Sequence, residues 1–268
     1  MSAGTGKRNY TIAICKGALL LPETKALLAA WEPGEDLRSF QQRVQSQGLL
    51  GRSTSYRTHD IVHRVFARRF LRPDAAPARA LRYLAERGCP PRAFADLVLL
   101  CASRKDDLLY DFVAQRYWPA HAEGRLTLSI DDALSFFDDG YHKGYLPEPW
   151  SGAVQVKIAR GLLGALQEAG MIRKGRGTRR EIVTYRASDV LVAYLLFDLH
   201  FQGLTDSSVY EHQDWSLFGL SRDRLIARAD ELSEWQLFVV QHAGSVVRVT
   251  WNYDSMEEAV REIADRLV

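Results

Sequence analysis

The stretch "GALQEAGMIRKGRGTRREIVTYRAS", Gly164 to Ser188, decides how the chain is read. Helical character ends at Gly170, where a glycine accepts the left-handed conformation that commonly terminates a helix. Two short runs follow, "MIRK" and "REIVTY", rich in the Ile, Val, Thr and Tyr that suit a half-buried pleated surface. The intervening "GRGTR" supplies a turn, with Gly175 and Gly177 expected at positive φ. Arg173, Lys174, Arg176, Arg179 and Arg180 crowd this hairpin, and Glu181 is the only acid among them. Such like charges repel unless water or an anionic partner offsets them. Helix, glycine, apolar pair and basic hairpin is the element order of a winged-helix unit, in which the helix enters a DNA groove and the hairpin tracks a phosphate strand. The preceding helix, "AVQVKIARGLLGALQEAG", turns Val156, Ala159, Leu162, Leu163 and Leu166 inward. Lys157 and Arg160 on it extend the same basic zone.

A second basic zone lies upstream. "LPETKALLAAWE" begins a helix near Pro22, "EDLRSFQQRVQSQGLLG" a second with Leu37, Phe40 and Val44 on one face, and "RSTSYRTHDIVHRVFARRFLRP" a third. Ser53 or Thr54 caps this third helix, which carries Ile61, Val65 and Phe66 inward and ends before Pro73. Three short helices with the last one basic resemble a helix-turn-helix unit. Arg52, Ser55, Tyr56, Arg57, Arg64 and Arg68 are its candidates for phosphate and base-edge contact.

The middle reads as further helix punctuated by the prolines at 90, 91 and 119. "SIDDALSFFDDGYHKG" follows, with Ser129 as cap and acids in the first turn, where the helix dipole favours them. Near the C-terminus "SRDRLIARADELSEWQLFVVQHAGSVVRVTWNY" repeats the helix-plus-hairpin order, with Ser221 as cap and a turn at Ala243-Gly244, but with little net positive charge. A last helix, "DSMEEAVREIADRL", closes the chain. The fold class expected is mainly α, with helix-turn-helix and winged-helix units and small β-hairpin wings. The expected organisation is a helix-turn-helix unit over 1–72, a helical connector over 73–125, a winged-helix unit over 126–190 and a C-terminal wing-like α/β unit over 191–268.

Composition is ordinary for a globular protein, with 47% hydrophobic and 25% charged residues over 268 positions, which argues against disorder as a description of the whole. A net charge of +2 conceals the asymmetry, because acids after Leu204 cancel the two basic zones. Cys15, Cys89 and Cys101 stand far apart without CxxC spacing, which fits a reducing cytoplasm and neither a disulfide framework nor a zinc site. "DLVLLCA" and "VLVAYLLF" each fall well short of the roughly 20 residues of a membrane span and read as buried helix faces, so no membrane partner is expected.

Other chemistry is weakly signalled. His59 and His63 lie one helical turn apart, yet no HExxH frame or neighbouring ligand set completes a metal site. "GTGKR", residues 4–8, lacks the strand and long glycine loop of a phosphate cradle and reads as a flexible terminus. Asp106-Asp107, Asp131-Asp132 and Asp138-Asp139 sit at helix ends, where capping and dipole effects explain them without a nuclease metal. No nucleophile-base frame or dinucleotide fingerprint appears, so neither enzymatic activity nor a cofactor is expected.

Five stretches, taken in order, carry a family resemblance: "CKGALLLPETKALLAAW", "LLGRSTSYRTHDIVHRVFARRFL", "QEAGMIRKG", "WSLFGLSRDRL" and "AGSVVRVTWNYDSMEEAV". Together they resemble the BrxA family of BREX phage-defence systems from about Tyr10 to the last helix. The resemblance implies a non-enzymatic cytoplasmic component of a bacterial defence locus that binds double-stranded DNA and works with other BREX proteins. It supplies no catalytic residues. A protein-interaction adaptor that docks acidic partners, and a transcriptional regulator with one preferred operator, remain the alternatives.

Overall fold

The computed structural model describes residues 8–244 and 246–267, so residues 4–7 of "GTGKR" and Ser245 beside the C-terminal turn lie outside the described residues. A 3-10 turn at Ala13–Lys16 precedes α1 (Leu21–Ala30). Pro22 fits the first turn of α1 because its fixed φ is helical and its missing N–H has no partner there. Asp36 caps α2 (Leu37–Ser46) by accepting from the Arg38 and Ser39 amides, and α2 buries Phe40 and Val44. Thr54, the second of the two expected caps, accepts from the Arg57 amide to start α3 (Ser55–His59). The helix then widens into a π-helical stretch, Asp60–Leu71, that buries Ile61, Val62, Val65, Phe66, Arg69 and Phe70. A 3.6-residue period cannot anticipate that widening.

The chain continues through α4 (Ala76–Glu86), α5 (Pro91–Ser103) and α6 (Asp107–Phe112). A π-helical turn at Val113–Tyr117 then leads into α7 (Trp118–Ala122). Pro119 therefore does not interrupt this run as its position in the sequence suggests. It sits in the first turn after the π-helical segment, where its missing N–H is tolerated. A two-residue strand, β1 (Thr127–Leu128), is too short to show a period in the sequence. Ser129 caps α8 (Ile130–His142) as expected, and does so in a reciprocal box with Asp132. Next come α9 (Gly152–Glu168), β2 (Ile172–Lys174) and β3 (Arg180–Ile182). Strands β1, β3 and β2 form one antiparallel sheet in that spatial order. The Tyr117 hydroxyl donates to the Met171 carbonyl at 3.2 Å and anchors the approach to β2.

The C-terminal part holds α10 (Asp189–Phe201), α11 (Asp206–Tyr210), a 3-10 segment at Gln213–Phe218 and α12 (Arg222–Leu232). The paired strands β4 (Phe238–Ala243) and β5 (Val246–Trp251) follow, and α13 (Met256–Asp265) is the last helix. Ser221 occupies the cap position of α12 but its side chain makes no capping bond. The architecture is mainly α with two small antiparallel sheets.

The chain forms two compact units, each discontinuous in sequence. One contains residues 8–73 and 98–185; the other contains 74–97 and 186–267. The four consecutive segments read from the sequence describe local structure, whereas compactness follows packing between distant segments. In the first unit α8 packs on α9, α9 on the 13–16 turn, and that turn on the 60–71 helix. Gly161 permits this approach, since the Ile14 side chain lies 3.1 Å from where a Cβ would stand. In the second unit α10 packs against α11, α12 and α13, and α4 packs on α13. Helix α10 is buried from Val190 through Phe197 and again at Leu199, so its uniform apolarity reflects neighbours on all sides. Among the described residues no helix is long and apolar enough to cross a membrane.

Candidate nucleic-acid interface

The hairpin between β2 and β3 realises the charge crowding. Its register places Arg173 opposite Glu181 and Lys174 opposite Arg180. Arg173 and Glu181 form an ion pair at 2.7 Å, which consumes the one acid available. Like charges directly opposite each other destabilise a strand pair, and Lys174 with Arg180 is such a pair. Among the described residues the side chains of Lys174, Arg176 and Arg179 make no hydrogen bond or ion pair, and Arg180 bonds only the Arg179 carbonyl. Gly177 has φ of +65° as expected, but Gly175 stays outside the left-handed region. Its smallness serves closeness instead, because a Cβ there would lie 3.0 Å from the Arg179 carbonyl oxygen.

Helix α9 presents Lys157 and Arg160 to solvent. The C-terminal half of its outer face is occupied. Gly161 meets Ile14, Gly164 meets Ala18 at 3.7 Å, and the Glu168 carboxylate accepts from the Leu19 and Leu21 amides, both at 3.3 Å. Burial pushes the Glu168 carboxyl above its ordinary range. The groove-facing helix read from the sequence is thus free only over its N-terminal half.

The 55–71 helix sorts its cations sharply. Arg52 and Ser55 are exposed at its entrance, and Tyr56 is 67% exposed with its hydroxyl 3.3 Å from the Lys16 ammonium. Arg57 is held by the Lys16 carbonyl, so its guanidinium is partly spent on structure. Arg64 pairs with Asp60 at 3.3 Å, and Arg68 donates to the Lys105 carbonyl at 2.5 Å, while both keep exposed heads. Arg69, adjacent in sequence, is only 6% exposed and faces the core. Two contributors to this face are absent from the sequence candidates. Lys16 lies on the 3-10 turn and bonds Asp60 at 2.8 Å, and Arg72 ends the helix. Thr11, Ile12, Ala13, Lys16, His63, Arg64, Arg68 and Arg72 line a cleft of about 480 Å³. The 13–16 turn joins the two basic zones that the sequence assigns to separate units.

Asp60 is the buried strut beneath this face, held below the ordinary carboxylate range first by the Lys16 hydrogen bond and further by Arg64, against the opposing effect of burial. A depressed folded value means its contribution to stability is complete above the ordinary carboxylate pKa of about 3.9 and is lost as pH falls through the folded value. Urea midpoints measured from neutral pH into this acid range should fall less steeply for Asp60→Asn than for the parent. Equal slopes would assign the acid sensitivity to other carboxylates.

The two histidines and several of the paired acids have structural duties. His59 and His63 stack at 4.6 Å, and His63 Nε2 lies 2.9 Å from the Gln41 side-chain oxygen. Among the described residues no group of three or more His, Cys, Asp or Glu could hold a metal ion. Asp106 caps α6 through the Leu108 and Leu109 amides, Asp107 accepts from Arg8, and Asp132 completes the α8 cap. Asp139 lies 3.8 Å from Arg116.

No curated protein matches the sequence of this chain. The crystal structure of an uncharacterized protein from Magnetospirillum magneticum resembles it with a TM-score of 0.59 and 18% identity, over 72% of this chain and 95% of that one. At that identity the likeness concerns the fold alone. A family model described as BrxA matches residues 8–197, which takes in the described part of the first unit and runs into α10. The stretches "WSLFGLSRDRL" and "AGSVVRVTWNYDSMEEAV" lie beyond that match. With well over half its length matched, the chain belongs to the BrxA family.

Proposed function

We propose that this protein is a non-catalytic, double-stranded DNA-binding component of a BREX-type phage-defence system, contacting phosphates through the β2–β3 hairpin, the exposed Lys157 and Arg160 of α9 and the exposed entrance to the 55–71 helix at Arg52, Ser55 and Tyr56. Family membership associates the chain with BREX. The observation that carries the DNA reading is the hairpin register: Lys174 faces Arg180 beside the uncompensated Arg176 and Arg179, and the single local acid is already paired with Arg173. A duplex neutralises such a cluster and gains from counterion release. The order β1, α8, α9, β2, β3, with β3 central in the sheet, is that of a winged helix, and it supports the same reading. Because the second half of the α9 outer face is covered, α9 contributes only through its Lys157–Arg160 end. Other BREX proteins are the expected partners. Duplex DNA should remain uncut with Mg²⁺.

A salt titration tests this. Replacing Arg176, Arg179 and Arg180 by alanine should reduce the magnitude of the log-affinity against log-salt slope by about 0.9 for each phosphate that is no longer neutralised. Binding to unrelated duplexes should weaken alike, because phosphates carry no base identity. Parental slope and affinity in the triple variant would show that the hairpin is merely solvated.

A further inference from the structure

The cleft lined by Lys16, His63, Arg64, Arg68 and Arg72 has properties that a duplex surface does not require. It is concave, whereas a duplex is a convex rod with its phosphates spread along it. Four permanent cations converge on it. Three are held in place: Lys16 and Arg64 by the two oxygens of Asp60, at 2.8 and 3.3 Å, and Arg68 by the Lys105 carbonyl at 2.5 Å. Asp60 is 3% exposed and lies beneath them, so a single buried carboxylate steadies two cations without cancelling both. Arg72 makes no hydrogen bond or ion pair among the described residues. Preorganised cations lower the ordering cost of binding. The one ring on the lining, His63, is already stacked on His59, so no free platform awaits a base. Ile12, 48% exposed, and Ala13 give the lining an apolar part, which the stems of the long cationic side chains extend.

We propose that this cleft binds a free compact polyphosphate, such as the phosphate chain of a nucleotide, without reading the attached base. The site is distinct from the hairpin and does not rest on its contact with DNA. The shared chemistry of a duplex backbone and a free polyphosphate is a set of clustered phosphate oxygens, and the two sources separate experimentally.

Isothermal titration of the full chain with inorganic tripolyphosphate at low salt is the test. One equivalent should bind saturably, and ATP and GTP should bind alike. Arg72→Gln removes a cation with no structural partner and should weaken binding about fivefold, as expected for one charge of about 1 kcal/mol at close range in water. Adding Arg64→Gln should weaken it further by a similar factor. The Arg176, Arg179 and Arg180 alanine variant should bind tripolyphosphate as the parent does. Saturating duplex should leave tripolyphosphate in place. Absence of saturable binding, parental affinity in the cleft variants, or loss of binding in the hairpin variant would overturn the site. Displacement by duplex would overturn the assignment to a free polyphosphate and give the cleft to the DNA backbone.

Discussion

Arg69→Met is expected to destabilise the protein by about 3–5 kcal/mol, the scale for removing one member of a buried charged network. The Arg69 guanidinium donates to the carbonyls of Ala18 and Gly17 at 2.6 and 2.9 Å, and so pins the segment that follows the Lys16 turn. Burial lowers its pKa to about 10, with Asp106 and Glu168 opposing. Without the fork, two carbonyl oxygens lose their donors, at about 1–3 kcal/mol for each left dry. Lysine restores a charge but not the planar fork, so Arg69→Lys should recover only part of the loss. Arg68→Ala, one residue away with an exposed head, should change stability by about 0.5 kcal/mol or less. Urea unfolding of the three variants measures the contrast, and similar midpoints for Arg68→Ala and Arg69→Met would refute it.

An equal effect is expected in the second unit from Phe197→Ala. Phe197 is fully buried on α10, with ring centroids 5.2 Å from Trp251 and 5.8 Å from Phe238. Truncating a buried phenylalanine costs about 3–5 kcal/mol in transfer energy and cavity formation. A two-stranded hairpin is marginal without a surface to pack on, and Phe197 supplies that surface to both strands. Amide exchange over 238–251 should therefore accelerate more than exchange in α9. Uniform acceleration throughout the chain would indicate global destabilisation instead.

These two residues also mark where sequence legibility ends. Helices and caps are readable because Thr54, Ser129 and the periodic apolar faces act through neighbours within a turn or two. The hairpin is readable for the same reason, although the reason for Gly175 is not: its constraint is an approach by the Arg179 carbonyl rather than a sign of φ. Arg68 is among the candidates read from the sequence and Arg69 is not, but the bonds that hold the buried Arg69 to the Gly17 and Ala18 carbonyls come only from the fold. Lys16 is hidden because its importance comes from Asp60, 44 positions later. The covering of α9 is hidden likewise, since Ile14 and Gly161 meet only through the fold.

Helix α5 runs unbroken from Pro91 to Ser103, yet one of the three places where the chain passes between the units falls within it, between Leu97 and Val98. A gene encoding such a chain has no seam at which one unit ends and the other begins. Recombination at that boundary would cut a helix through its hydrogen-bonded interior, and a crossover elsewhere would divide one unit or the other. No single crossover separates the two units intact, in contrast to a beads-on-a-string arrangement, whose modules can be parted at a linker.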